Sequence, residues 1–177
     1  MGGVDKAALV VGGVRLLDRV LAAARPVCDR LVVVGPARPT TVDGVTFVTE
    51  AEPGGGPVPA VAAGLEALGP GCDVVIVLAA DLPLLETTHL HVLLAPLAAP
   101  TVEAAAAADQ QGPNALLAAY HAGPLAARIG SLGPGDAASQ LLPPPAATAV
   151  VDLGSATLNV NRPEDLDAAE HQLNLRP

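Results

Sequence analysis

Short apolar runs alternate along the chain with amphipathic stretches, and Gly or Pro separates the two. Arg30-Leu31-Val32-Val33-Val34-Gly35 is β-branched and wholly apolar, which suits a strand covered on both faces. Asp73-Val74-Val75-Ile76-Val77-Leu78-Ala79-Ala80 is the clearest buried strand, with Asp81 at its carboxyl end. Val45 to Glu50 reads as a shorter, more polar strand. Helices are predicted over Arg15 to Ala24, Val58 to Leu68 and Glu86 to Leu97. Strand, helix and strand in this order form βαβ units and imply a mostly parallel sheet. Beyond Pro100 the pattern predicts strands at Val102 to Ala108, Leu116 to Tyr120 and Ala149 to Leu153. Short helices are predicted at Leu125 to Ile129 and Asp136 to Leu142, with Pro143-Pro144-Pro145 as a stiff loop. A terminal helix starts near Arg162, with Pro163 in its first turn and Glu164 and Asp165 suiting the helix dipole. No linker divides the chain, so residues 1–177 are expected to form one α/β domain with helices flanking the sheet.

Composition narrows the function. Hydrophobic residues make up 51% of the 177 positions and charged residues 15%, which excludes a disordered chain. Phe47 and Tyr120 are the only aromatics, so the core must be Ala, Val and Leu, and no base-stacking platform is available. A net charge of -9 repels phosphate backbones and argues against a nucleic-acid partner. The opening Met1-Gly2-Gly3-Val4-Asp5-Lys6 lacks the basic and apolar regions of a signal peptide. Val92 to Ala108 is interrupted by Pro96, Pro100 and Glu103 and makes a poor membrane span. Cys28 and Cys72 have no metal-ligand spacing and are read as buried thiols, so a reducing cytoplasm is the expected location.

In an open parallel sheet, ligands bind at the carboxyl ends of strands, and phosphates favour the amino ends of the following helices. Four segments fall at such places. Gly2, Gly3 and Asp5 surround Lys6, the only lysine, where amides and an ammonium could converge on phosphate oxygens. The spacing is not that of a Walker A loop, and a solvated terminus explains it equally well. Glu50-Ala51-Glu52-Pro53-Gly54-Gly55-Gly56-Pro57 follows a strand and opens a helix, so Gly55 and Gly56 can approach a ligand closely while Pro57 occupies the first turn. A plain glycine-rich loop is the alternative. Asp81 is placed to hold a divalent cation that bridges phosphate oxygens, or else to cap a helix. Asn159 and Asn161 alternate on an extended segment and face one way, although helix capping by Asn161 accounts for half of that motif without a ligand. His89, His91, His121 and His171 lack the grouping of a zinc site, and no G-x-S-x-G elbow is present.

In this order the segments resemble the MobA-like nucleotidyltransferases, the molybdenum cofactor guanylyltransferase family. Met1-Gly2-Gly3-Val4-Asp5-Lys6-Ala7 is similar to the tail of that family's L-A-G-G-x-S-x-R-M-G-x-D-K-A. Gly55-Gly56-Pro57 with Ala63-Gly64-Leu65 resembles G-G-P-L-A-G-I-x-x-G-L, and Ala80-Asp81-Leu82-Pro83 resembles C/A-x-D-M/T-P. Asn159-Val160-Asn161-Arg162-Pro163-Glu164-Asp165-Leu166 resembles N-V-N-T-P-E-D-L. The resemblance implies a Rossmann-like sheet of the nucleotide-diphospho-sugar-transferase type and transfer of GMP from GTP to molybdopterin with release of pyrophosphate. It implies Mg²⁺ on Asp81 and phosphate contacts from Lys6. It leaves as alternatives a sister enzyme using CTP and an impaired nucleotide-binding domain, and it says nothing of oligomeric state.

Two departures accompany the resemblance. Ala51 occupies the usual place of an acidic residue before G-G-P, so Glu50 or Glu52 is expected to serve. The family's first strand and its L-A-G-G-x-S-x-R loop have no counterpart, as though the start were truncated. In the family that strand lies inside the sheet, so its neighbours are expected to carry unpaired backbone groups. Each such buried group costs roughly 1–3 kcal/mol.

Overall fold

The computed structural model describes residues 6–51 and 54–175. A 3₁₀ turn, Lys6–Ala8, leads into the strands β1 (Val10–Val11) and β2 (Val14–Arg15) and then the helix α1 (Leu16–Ala24). There follow β3 (Leu31–Val34), β4 (Val45–Val48), α2 (Pro57–Leu68), β5 (Val74–Leu78) and α3 (Thr87–Leu94). The second half comprises β6 (Ala104–Asp109), β7 (Gly112–His121), α4 (Ala122–Ile129), β8 (Thr148–Val151) and α5 (Pro163–Asn174).

The α/β class holds, and the sheet is mixed. β3 and β4 pair in parallel, whereas the second ladder runs β5-β7-β6-β8 with β7 antiparallel to both of its neighbours. Only β6 and β8 are parallel there. The reason is local. Asp109 pairs with Gly112 across a tight turn, far too short for the crossover that parallel strands require.

Both faces of the second ladder are covered, as period-2 alternation shows. Ala105 and Ala107 of β6 and Leu117 and Ala119 of β7 pack with α1 and α3. Ala104, Ala106, Ala118 and Tyr120 pack on the opposite side with Val58 of α2 and Leu125 of α4. A third cluster joins Val11 and Leu16 to Val160 and to Ala169 of α5, tying the chain's opening to its end.

Proline sets several helix ends. α3 stops at Leu94 and tightens into the 3₁₀ turn Ala95–Ala98, because Pro96 has no N–H to continue the ladder. The helix expected over Asp136 to Leu142 is only the 3₁₀ turn Ala138–Leu141. Leu142 precedes Pro143 and takes an extended ψ of 138°. The β1–β2 hairpin is absent from the predicted elements. Gly12 and Gly13, with φ of 57° and 76°, supply the two left-handed residues its turn needs.

Candidate active site

Asp81 stands just beyond β5, whose ladder continues for one more bond from Ala79 N–H to the Leu116 carbonyl (2.8 Å). Its backbone carbonyl accepts the Val160 N–H at 3.0 Å, which fastens the β5 tip to the 159–161 segment. Val160 is fully buried, so the extended chain there is fixed from below. Asn161 is fixed from beyond as well. The Asp165 carboxylate accepts the N–H groups of Asn161 (2.8 Å) and Arg162 (2.7 Å). Those two bonds hold the Asp165 carboxyl below its usual range. The cap residue of α5 is Arg162, which leaves the Asn161 side chain for another role.

That role is a contact with Lys6. The Lys6 ammonium lies 3.1 Å from Asp81 Oδ2 and donates to Asn161 Oδ1 at 2.5 Å. Residues 75 and 155 positions apart in sequence therefore meet at one strand tip. The Lys6 side chain is 35% exposed and that of Asp81 16%, so the ion pair opens to solvent on the lysine side. An ammonium has three donors, and among the described residues these contacts use two of them. Asn159, the alternate member of the motif, has a buried Oδ1 with no hydrogen-bond partner among the described residues.

The glycine loop occupies the predicted place between β4 and α2. Gly54 and Gly56 have φ of 89° and 90°, conformations that side chains rarely adopt, and Pro57 opens the helix. A Cβ on Gly55 would come within 3.0 Å of Pro59. The Gly55 carbonyl accepts the Gly135 N–H at 2.8 Å, so this loop leans on residues 133–136, which sequence reasoning did not single out. Asp136 stiffens that support by accepting the Gly133 N–H at 2.8 Å. Glu50, at the carboxyl end of β4, has a buried Oε2 without a partner among the described residues. Gly2, Gly3 and Asp5, together with Glu52, lie outside the described residues.

The structure thus joins Lys6, Asp81 and Asn161 directly, while Glu50 and Gly55-Gly56-Pro57 lie on the connection between β4 and α2. It adds Asp165, whose signal was its spacing of four from Asn161 at a helix start. His89 belongs to the fold, since its Nδ1 accepts the Glu86 N–H (3.0 Å) at the start of α3. Among the described residues no group of three or more His, Cys, Asp or Glu could enclose a metal ion. Mg²⁺ is commonly held by one or two carboxylates, with water and substrate phosphates completing its shell. The lone Asp81 carboxylate fits such a shared ion and does not fit a fully protein-held one. No helix among the described residues is long and apolar enough to cross a membrane.

Comparison with known proteins gives a consistent result. The profile of the family described as MobA-like NTP transferase domain matches residues 1–143. A probable molybdenum cofactor guanylyltransferase of Deinococcus radiodurans is 32% identical over 166 residues, covering 93% of this chain and 84% of that protein. Among solved structures, molybdopterin-guanine dinucleotide biosynthesis protein A from Archaeoglobus fulgidus superposes with a TM-score of 0.70 at 19% identity, covering 97% and 92% of the two chains. The 2-C-methyl-D-erythritol 4-phosphate cytidylyltransferase of Thermus thermophilus gives 0.70 at 23% identity, covering 96% and 94%. At these identities the two structures establish the shared fold.

Proposed function

The chain belongs to the MobA-like NTP transferase domain family, and on that premise we propose that it moves GMP from GTP to the phosphate of molybdopterin, in the cytoplasm, releasing pyrophosphate. The observation that carries this reading is the contact of Lys6 with Asp81 and Asn161 at the tip of β5. A nucleotidyltransferase must hold a triphosphate so that an acceptor oxygen attacks the α-phosphorus in line, forming one P–O bond as the bond to the β-phosphate oxygen breaks.

In this reading the Lys6 ammonium turns its remaining donor to the β- and γ-phosphate oxygens and stabilises the negative charge that the leaving pyrophosphate gains. Asp81 and Asn161 aim that ammonium before the nucleotide arrives. Mg²⁺ bound at Asp81 would neutralise charge on the triphosphate. The amides of the loop at Gly55 and Gly56 lie at a helix start, where an anion is favoured. The orphaned oxygens of Glu50 and Asn159 are acceptors for hydroxyl or amino groups of the nucleotide or the pterin. Water is the competing acceptor, so the site must orient the acceptor phosphate rather than generate a protein nucleophile.

The test incubates the purified chain with Mg²⁺, molybdopterin and either GTP or CTP, following pyrophosphate release and the product mass. Release with GTP alone, with a product heavier by one GMP, supports the reading. Release with CTP alone moves the base assignment to cytidine, and release with neither overturns nucleotidyl transfer by this chain.

A further inference from the structure

An α-helix begins with four N–H groups that its own turns cannot pair. At the start of α2 two of these are missing, because Pro57 and Pro59 stand in the first turn and have no N–H. The other two belong to Gly56, which is exposed, and to Val58, which is 1% exposed. The Gly56 N–H is therefore the donor that this helix start offers to solvent, and its direction decides what the glycine loop can hold.

That direction is set from outside the loop. The peptide joining Gly55 to Gly56 is trans, so its carbonyl and its N–H point opposite ways. The carbonyl accepts the Gly135 N–H at 2.8 Å, so the Gly56 N–H is turned away from residues 133–136 and has no acceptor among the described residues. Gly55 is also confined between two proline rings, since a Cβ there would meet Pro59 at 3.0 Å and Pro134 at 3.5 Å. Gly133-Pro134-Gly135-Asp136 is a type II reverse turn. The Asp136 N–H donates to the Gly133 carbonyl at 3.2 Å, proline stands second, and Gly135 in third place has a φ of 88°. Asp136 closes the turn a second time. Its Oδ2 accepts the Gly133 N–H at 2.8 Å, and its Oδ1 faces Gln140 Nε2 at 3.4 Å. The turn's own bond joins its first and fourth residues, so the third N–H is free to reach out, and here it goes to Gly55. Leu132 and Ala138 flank the turn and pack against the cluster that contains Val58, so the turn and the helix start share one footing.

We propose that Asp136 is a positioning residue for the glycine loop: by clamping the 133–136 turn it keeps the Gly135 N–H on the Gly55 carbonyl, and so fixes the direction in which the Gly56 N–H meets an anionic group of the nucleotide. A carboxylate repels phosphate, so Asp136 acts through the turn and not by touching the ligand. What Asp136 contributes is an acceptor for one N–H, which a neutral amide oxygen supplies equally well. The ligand in this inference rests on the proposed nucleotidyl transfer, whereas the brace from Asp136 to Gly55 does not.

The test compares the full chain with its Asp136→Ala, Asp136→Asn and Pro134→Ala variants by two measurements. The first is amide hydrogen exchange at Gly135, read by NMR without nucleotide. The second is KM and kcat for GTP with Mg²⁺ and molybdopterin, followed by pyrophosphate release. Asp136→Ala should speed exchange at Gly135 about tenfold, because the turn that presents this N–H opens more often. It should raise KM about tenfold and leave kcat within about twofold, the pattern of a contact made equally in the ground state and the transition state. Asp136→Asn should stay within about twofold of the wild type in both measurements, since the acceptor is kept. Pro134→Ala loosens the same turn without touching Asp136 and should move both measurements in the same direction by a smaller factor, which decides the matter if Asp136→Ala does not fold. Unchanged exchange at Gly135 in Asp136→Ala would overturn the proposal. So would faster exchange with an unchanged KM, or an Asp136→Asn variant as impaired as Asp136→Ala. Absence of turnover in the wild type would overturn the nucleotidyl transfer alone, and the exchange at Gly135 would still decide the brace.

Discussion

Replacing Lys6 by Ala separates a phosphate ligand from a structural lysine, because the two roles differ in size. The ammonium touches Asp81 and Asn161, but its side chain is 35% exposed, and exposed pairs of this kind are worth about 0–1 kcal/mol to the fold. In a domain of this length that corresponds to a fall in Tm of at most about 4 °C. Binding has more to lose. A hydrogen bond from a charged donor contributes about 1.5–3 kcal/mol when its partner is a desolvated anion. At about 1.4 kcal/mol per factor of ten, Lys6→Ala should weaken GTP roughly 10- to 150-fold in the presence of Mg²⁺. Guanosine, which has no phosphates for the ammonium to hold, should change by less than about twofold. Calorimetric titration of both ligands against both proteins measures the difference directly. Equal weakening of GTP and guanosine, or no weakening of either, would refute phosphate binding by Lys6 and leave it a strut between Asp81 and Asn161.

Asp81→Asn keeps shape and removes charge, so it should lower Mg²⁺-dependent pyrophosphate release by about 10²–10³ while far-UV circular dichroism stays unchanged, and unchanged turnover would take Asp81 out of the reaction. Tyr120, buried with its hydroxyl donating to the Ala115 carbonyl at 2.9 Å, has a pKa raised mainly by burial, partly offset by Arg128. The folded chain then keeps a proton that the unfolded chain loses near pH 10, so stability should fall by about 1.4 kcal/mol per pH unit above that point. Denaturant melts between about pH 9 and 11.5 would show the slope, Tyr120→Phe should flatten it, and a wild-type curve without it refutes the assignment. Gly56→Ala forces a side chain onto a φ of 90° and should cost about 1–2 kcal/mol in urea melts; a neutral result would mean the loop relaxes freely. Leu90→Ala in the core beneath α3 should cost about 2–5 kcal/mol, and a loss under about 1 kcal/mol would show that the site collapses around the gap.

The sequence made the strand and helix order legible because its signals are local. Val32-Val33-Val34 and Val74 to Leu78 declare themselves by composition, and Pro57 and Pro163 mark helix starts. Three features were harder. The antiparallel course of β7 depends on the Asp109–Gly112 turn, which carries two glutamines in place of a usual turn pair. The support of Gly55 by Gly135 is a contact between backbones and has no side-chain signature. The Lys6–Asn161 bond joins the two ends of the chain, and no periodicity reports on that distance. The separate motifs were visible, and so was the strand tip where Lys6 and Asp81 were expected to meet, whereas the direct bond from Lys6 to Asn161 was not.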